Sequence, residues 1–384
     1  MNREQFHVPG PGPYALTHSV GCLPKRAVAA LNQAFFEPWE AEGGGAWNAW
    51  LHAIGNFRES LARLLGGDAG DYCPQANLSA GLAKLLPALP ALPAAVGHPH
   101  AARARGTRNV LLAAEDSFPS LVYQLQQANR SGFDTRLLPR SLDPSRLETW
   151  EAALSADVAA VLVTHVHSNT GAVAPVAAIA ALCRERSILC IVDVAQSAGI
   201  LPVSVTDFGA DVVLGSCVKW LCGGPGAGFL WIRPALVRNL EPTDVGWFSH
   251  QDPFEFDVHS FRYAPDVRRF WGGTPSVAPY AIAAAGVQTI ADIGVAAIRA
   301  HNLALMRVFR DALPAPWRGR IDPTRLGGTV CLQLGAAQAH IANALKSLGV
   351  RLDYRGAVVR LSFHVYNTAA EAACIARAFD GTAP

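Results

Sequence analysis

Short, unbroken apolar runs alternate along this chain with longer alanine- and leucine-rich stretches of helical period, and that alternation constrains the fold most. Residues 109–113, 158–164, 188–193, 211–215 and 228–232 read as strands buried on both faces. Residues 175–186, between the second and third runs, read as a crossover helix. Strands joined in this way build an α/β fold, a largely parallel sheet with helices on both faces. Ligands of such sheets bind at the carboxyl ends of the strands. The residues that close each run are therefore the first candidates for function.

Beyond about Thr274 the pattern changes. A helical stretch over 277–313, broken near Gly294, leads into 329–334, a helix, and 357–363, which together read as a smaller α+β domain. The predicted organisation is an N-terminal arm over 1–20, packed against the small domain, a large domain over 21–275 and a small C-terminal domain over 276–384. A chain of 384 residues, 51% hydrophobic and 16% charged, has the length and apolar content for two such cores. The formal charge of +2 is too mild for a nucleic-acid partner, and the cluster Arg103, Arg105 and Arg108 reads as a solvated face. The apolar stretch 85–96 is interrupted by Pro87, Pro90 and Pro93, so it is no membrane span, and MNREQFHVPGPGPY lacks an apolar export core. A cytoplasmic protein is expected. The eight cysteines are scattered, with no CxxC pair and no histidines at ligand spacing, so no metal site is expected.

There are only four lysines. Lys84 and Lys346 lie in amphipathic helical stretches and Lys25 follows a proline; all three read as solvated. Lys219 differs, because it follows the apolar run ADVVLGS and precedes the turn GGPGAG. Its ammonium group emerges at the carboxyl edge of the sheet, where desolvation lowers the pKa, as an imine-forming lysine requires. Asp193 ends the run ILCIVD and faces the same edge. It either caps the helix start over VAQSAG or holds a cofactor's pyridine nitrogen protonated, making that ring an electron sink. One strand–connection–strand unit separates Asp193 from Lys219, so both can reach one ring. Gly223, Gly224, Gly226 and Gly228 read as allowing close backbone approach around a cofactor.

The stretch VDVAQSAGILPV…FGADVVLGSCVKWLCGGPGAGFLWI resembles the class V aminotransferases, a fold type I group that uses pyridoxal 5'-phosphate and includes kynureninase, cysteine desulfurases and isopenicillin epimerase. The resemblance runs from about His18 to about Tyr366. It implies a mostly parallel seven-stranded sheet, Lys219 as the cofactor lysine, and a homodimer with active sites between subunits. EDSFPSLVYQLQQANRSG resembles the kynureninase segment whose phenylalanine, here Phe118, stacks on the cofactor ring; otherwise it is a core aromatic. GWFSHQDPFEFD is similar to the segment that brings a tryptophan, here Trp247, and His250 near the substrate. RRFWGGTP matches the stretch that sends a threonine, here Thr274, to the phosphate of the neighbouring subunit. VVRLSFHVYNT matches the ending whose arginine, here Arg360, grips the substrate α-carboxylate with two parallel bonds. HSNTG resembles the pattern that puts Asn169 by the cofactor's 3-oxygen. Ser216 matches the phosphate-binding serine, and the N–H groups around Ser79 and Ala80, in QANLSAGLAKLL, can cup an anion at a helix start; Ser79 can equally be a simple cap.

Near the ring the chain departs from kynureninase. Val218 stands in place of the tyrosine before the lysine, Gln196 in place of a histidine, Leu121 in place of an aspartate, and His18, in HSVG, in place of an asparagine. The outer frame resembles kynureninase and the inner shell the wider family. Desulfurases need a thiol on a mobile loop, whereas Cys331 lies in the strand-like run GTVCLQL. The resemblance implies an enzyme that acts on an α-amino acid through its external aldimine with the cofactor, with kynureninase-like hydrolytic or lyase cleavage at Cβ ahead of transamination or epimerisation. A descendant that merely binds the cofactor is a further alternative; retention of Lys219, Asp193 and Arg360 together weighs against it.

Overall fold

The five apolar runs form the centre of a seven-stranded sheet. The structure, a computed structural model, describes residues 2–89 and 108–384. Pro90, Pro93, Arg103 and Arg105, discussed above, lie outside the described residues. Among the described residues the sheet order is Tyr72–Gln75, Gly228–Ile232, Val212–Ser216, Leu189–Asp193, Val158–Thr164, Val110–Ala114, Asp134–Leu138. The last five of these pair in parallel, and Gly228–Ile232 is antiparallel to both its neighbours. This is the mostly parallel, helix-flanked sheet that the sequence predicts.

Side chains along each central strand alternate between two cores, as a pleated strand requires. Val110, Leu112, Val161, Val163, Cys190, Val192 and Val213 enter the first. Leu111, Ala113, Ala160, Leu162, Ile191 and Leu214 enter the second. Helices Trp47–Leu65, Val176–Glu185 and Ala278–Ile293 close the first core through Phe57, Ile179 and Tyr280. Helices Leu78–Ala88 and Pro119–Gln127 close the second through Leu82, Leu85, Leu121 and Leu125.

A second, antiparallel sheet has Val358–Ser362 between Thr329–Gln333 and Asp353–Arg355. Its core takes in Phe309, Ile341 and Ile375 from helices Val295–Ala312, Gln338–Ser347 and Ala369–Ala376. The helical stretch does break at Gly294, which sits at φ 87°, and its halves bend by 77°. Ala278–Ile293 serves the large sheet and Val295–Ala312 the small one, so this bent pair couples the two cores. Among the described residues no single helix is long and apolar enough to cross a membrane.

The N-terminal segment ties the small sheet to the lysine turn. The Ala15 N–H donates to the Arg351 carbonyl, the Ser362 N–H to the Ala15 carbonyl, and the Gly21 N–H to the Val218 carbonyl. A Cβ on Gly21 would lie 2.2 Å from the Lys219 carbonyl oxygen, so only glycine lets these segments touch. Three readings need correction. Gly223, Gly224 and Gly226 of the turn after Lys219 pack on helix Ala278–Ile293, where a Cβ on Gly223 would meet the Ala283 backbone at 2.9 Å; of the four glycines, Gly228 backs the cavity wall, with its Cβ position 3.1 Å from the Asn77 backbone. Lys84 is not solvated; its Nζ donates to the Phe270 and Trp271 carbonyls at 3.2 and 2.8 Å. Arg108 likewise donates to the carbonyls of Arg186 and Ser187 and is no part of a free basic face.

Candidate active site

The carboxyl ends of two neighbouring strands open into a cavity of about 580 Å³. Asp193 closes Leu189–Asp193 and Ser216 closes Val212–Ser216, with Lys219 three residues further on; all three line the cavity. Asp193 is buried, and its Oδ1 accepts the Ala195 N–H at 2.8 Å. Its Oδ2 has no hydrogen-bond partner among the described residues. Burial raises its pKa above the usual carboxylate range, against the pull of Lys219, the Ala195 N–H and His167.

Lys219 makes no hydrogen bond and no ion pair among the described residues. Its Nζ lies 5.6 Å from the centre of the Phe118 ring. Burial pushes its pKa down to about 8; Asp193 works in the opposite direction, and Arg355 and Arg360 add to the lowering. A lysine in this state is easily deprotonated to the nucleophilic amine. Phe118 precedes helix Pro119–Gln127, is 39% exposed and lines the cavity.

The remaining walls come from the N-terminal segment and the small sheet. His18 is buried; its Nε2 meets Asp353 Oδ1 at 2.9 Å and its Nδ1 meets Ser362 Oγ at 3.0 Å. Burial lowers its pKa, opposed by the Asp353 hydrogen bond. Arg360 is buried and stands directly opposite Asp353 in the strand register. Its Nε and Nη2 both donate to the Asp353 carboxylate, and its Nη1 donates to the Ser168 carbonyl at 3.2 Å. Burial works against the charge on Asp353, but the His18 and Arg360 hydrogen bonds outweigh it and hold the pKa at about 2. Gln196 is a strut: its Nε2 donates to the His18 carbonyl and its Oε1 accepts the Trp220 indole N–H.

At the start of helix Leu78–Ala88 the Ala80 N–H is taken by Asn77 Oδ1 at 2.9 Å, and Ser79 Oγ donates to the same oxygen at 2.8 Å. Asn77, not Ser79, is the cap. Among the described residues the N–H groups of Leu78 and Ser79 at this helix start have no partner, and both residues line the cavity; Ala80 does not. Asn169 lies in a neighbouring cavity with Phe118 and Arg355, and its Oδ1 accepts from Arg355. Trp247, Thr274 and His250 do not line the lysine cavity. The Trp247 indole donates to Thr274 Oγ1 at 3.2 Å within an aromatic cluster that includes Trp47, Phe248, Phe254 and Phe256. His250 Nε2 lies 3.0 Å from the Ser260 carbonyl and Nδ1 sits on the Asp252 backbone, so both ring nitrogens are engaged within one loop.

Val218 and Leu121, two of the departures from kynureninase, both line the cavity. Asn77, Asp353 and Arg355 line it too and were not singled out in the sequence. A signal for the last two was present: in RLDYRG, Asp353 and Arg355 alternate ahead of Gly356, in a hairpin that ends at Arg360.

The donor set fits pyridoxal phosphate. An unpaired, desolvated amine can meet its aldehyde, a buried carboxylate with one oxygen to spare can meet its ring nitrogen, and Phe118 offers a ring face. The Leu78 and Ser79 N–H groups, with Ser216, can meet its phosphate. The fold and this site define a pyridoxal-phosphate-dependent enzyme of fold type I. Within that class, residues 100–373 match the family model described as Aminotransferase class-V, and the chain belongs to that family. It is 31% identical over 315 residues to kynureninase of Deinococcus radiodurans, covering 80% of this chain and 72% of that protein. It is 30% identical over 322 residues to kynureninase of Pseudomonas fluorescens, with the same coverage. Among solved structures, the cystine C-S lyase C-DES in complex with cysteine persulfide superimposes with a TM-score of 0.81 at 21% identity, over 98% of this chain and 99% of that one. The apo cysteine desulfurase of Thermococcus onnurineus gives 0.79 at 21% identity, over 94% and 92%. These two likenesses establish the fold.

Proposed function

We propose that this enzyme cleaves an α-amino acid at Cβ, as a kynureninase-like hydrolase or lyase whose preferred substrate is not kynurenine. The observation that supports it most is Lys219, a desolvated amine left without a partner across a cavity from the buried Asp193. Bound pyridoxal phosphate supplies an aldehyde that condenses with amines and a ring that accepts electrons. Asp193 holds the proton on that ring's nitrogen. Lys219 moves the proton at the substrate Cα. Arg360 takes the α-carboxylate through the end of its guanidinium that is not turned to Asp353, which fixes the plane of the fork.

Cβ cleavage is preferred because the GWFSH and C-terminal segments follow kynureninase and because the kynureninase relatives reach 30–31% identity. Kynurenine itself is disfavoured by Val218, Leu121 and Gln196, which stand around the cavity with no acid to offer. Transamination or epimerisation, which begin with the same proton movement by Lys219, is the second reading. Desulfurase chemistry is not proposed: Cys331 lies within strand Thr329–Gln333, and burial pushes its thiol up to about 12.

The proposal extends to the assembly: a cytoplasmic homodimer in which Thr274 and Trp247 of one protomer, joined to each other outside their own cavity, serve the partner's site. His250 braces the loop behind them. A fully active monomer in sedimentation would remove this part. The reaction is tested by assaying anthranilate release from kynurenine beside a panel of α-amino acids that report binding through the cofactor's absorbance. We expect spectral changes with amino acids and kynurenine turnover lowered about 100- to 10,000-fold, the usual contribution of an acid–base group. Kynurenine turnover near 10 per second, an ordinary enzyme rate, would contradict the exclusion of kynurenine.

A further inference from the structure

Two guanidinium groups that line the cavity, not one, converge on Ser168. Arg360 Nη1 donates to the Ser168 carbonyl, and Arg355 Nη1 donates to Ser168 Oγ at 2.8 Å and to Asn169 Oδ1 at 2.7 Å. Arg360 is answered by a carboxylate of its own, because Asp353 occupies its Nε–Nη2 edge. Arg355 has no carboxylate partner among the described residues. Its Nε and Nη2 donate to nothing among the described residues, although its guanidinium lines the cavity and lies 5.5 Å from the centre of the Phe118 ring. Two like charges drawn to one residue repel each other, and one acid cannot satisfy both. The hairpin register makes the arrangement rigid: Asp353 faces Arg360 across the strand pair, and Arg355 follows on the same face two residues later.

We propose that Arg355 is the second anchor of the substrate α-carboxylate, which lies between the Arg355 fork and the free end of Arg360. This rests on the reading that an α-amino acid enters this cavity. The division of labour is specific. Asp353 and His18 lock Arg360 in place, so Arg360 gives the carboxylate at most one end, while Arg355 can give it two parallel N–H donors, the geometry a carboxylate takes best. Arg355 is also the cleaner residue to remove. Its loss strips no partner from Asp353, whereas loss of Arg360 would strand that acid.

The test uses the holoenzyme and follows the cofactor's absorbance while titrating L-alanine, L-aspartate and L-phenylalanine. L-Alanine and L-phenylalanine are each set beside the amine that lacks the carboxylate, ethylamine and phenethylamine. Cofactor content and thermal midpoint serve as controls. Arg355→Met should weaken all three amino acids by about 10- to 100-fold, the scale of a lost hydrogen bond between charged groups. It should leave ethylamine and phenethylamine unchanged. Arg355→Lys should recover part of the loss, because it keeps the charge and loses the fork. Unchanged amino-acid affinity in Arg355→Met overturns the proposal, as does an equal loss for the amines, which is the mark of a merely structural role. A loss confined to L-aspartate also overturns it, since Arg355 would then read the side chain. If the unaltered enzyme responds to no amino acid at all, the functional reading fails and takes this inference with it; the other outcomes leave that reading standing.

Discussion

Lys219 and Arg360 are cations on the walls of the same cavity, and the fold treats them in opposite ways. Arg360 belongs to the small sheet, is buried, and is answered on one whole edge by Asp353. Lys219 belongs to the edge of the large sheet and has no hydrogen bond or ion pair among the described residues, only a buried carboxylate within electrostatic reach. A buried charge that is paired holds geometry. A cation that is desolvated and left unpaired destabilises the fold, and such groups persist where their reactivity is used. One wall of the site is therefore built for position and the other for chemistry.

The comparison breaks most visibly if Lys219 is removed. Lys219→Ala should lower turnover of any substrate by about 1,000-fold or more, within the range of a lost acid–base group, with a melting temperature of the cofactor-free protein that rises or holds but does not fall. Stopped-flow rates and differential scanning calorimetry on one preparation check both halves. Removing Asp353 should do the reverse. Asp353→Ala leaves Arg360 buried without its partner, and stability should fall by about 3 kcal/mol, the low end for a broken buried pair because Asp353 is itself partly exposed. Urea titration of the variant reads this. An unaltered midpoint would show that the pair holds nothing in place.

The smallest expected effect is a titration. In the cofactor-free protein Lys219 should lose its proton near pH 8, the value burial gives it. Acylation at a series of pH values, mapped by mass spectrometry to the Lys219 peptide, reads that inflection. The folded pKa lies below the unfolded one. The charged amine therefore opposes folding in full below pH 8 and progressively less as the pH rises towards about 10.4. An inflection at the ordinary lysine value of about 10.4 would put Lys219 in water and erase the contrast with Arg360.

The same contrast explains what the sequence made legible. The central strands were readable because both their faces are buried, which leaves unbroken apolar runs such as Val158–Thr164. The edge strands were not: Tyr72–Gln75 contains a proline, and Asp134–Leu138 is polar and half-exposed. Lys219 and Asp193 stood out because each follows such a run. Asp353 and Arg355 sit on a three-residue strand whose meaning comes only from its register against Arg360. The cap at Asn77 was displaced by two residues onto Ser79, because QANLSAG offers several capping side chains in a row and spacing alone does not choose between them. Three of the four turn glycines, Gly223, Gly224 and Gly226, were misjudged for a related reason. Their partner, helix Ala278–Ile293, lies more than fifty residues away in sequence.

The central claim is that Lys219 is the lysine that holds pyridoxal phosphate. Reducing the holoenzyme with borohydride, digesting it and mapping the cofactor label by mass spectrometry tests this directly. The account predicts label on the single peptide containing Lys219 and none on those containing Lys25, Lys84 or Lys346. Label on any of those three, or a cofactor that washes away unreduced, would contradict it.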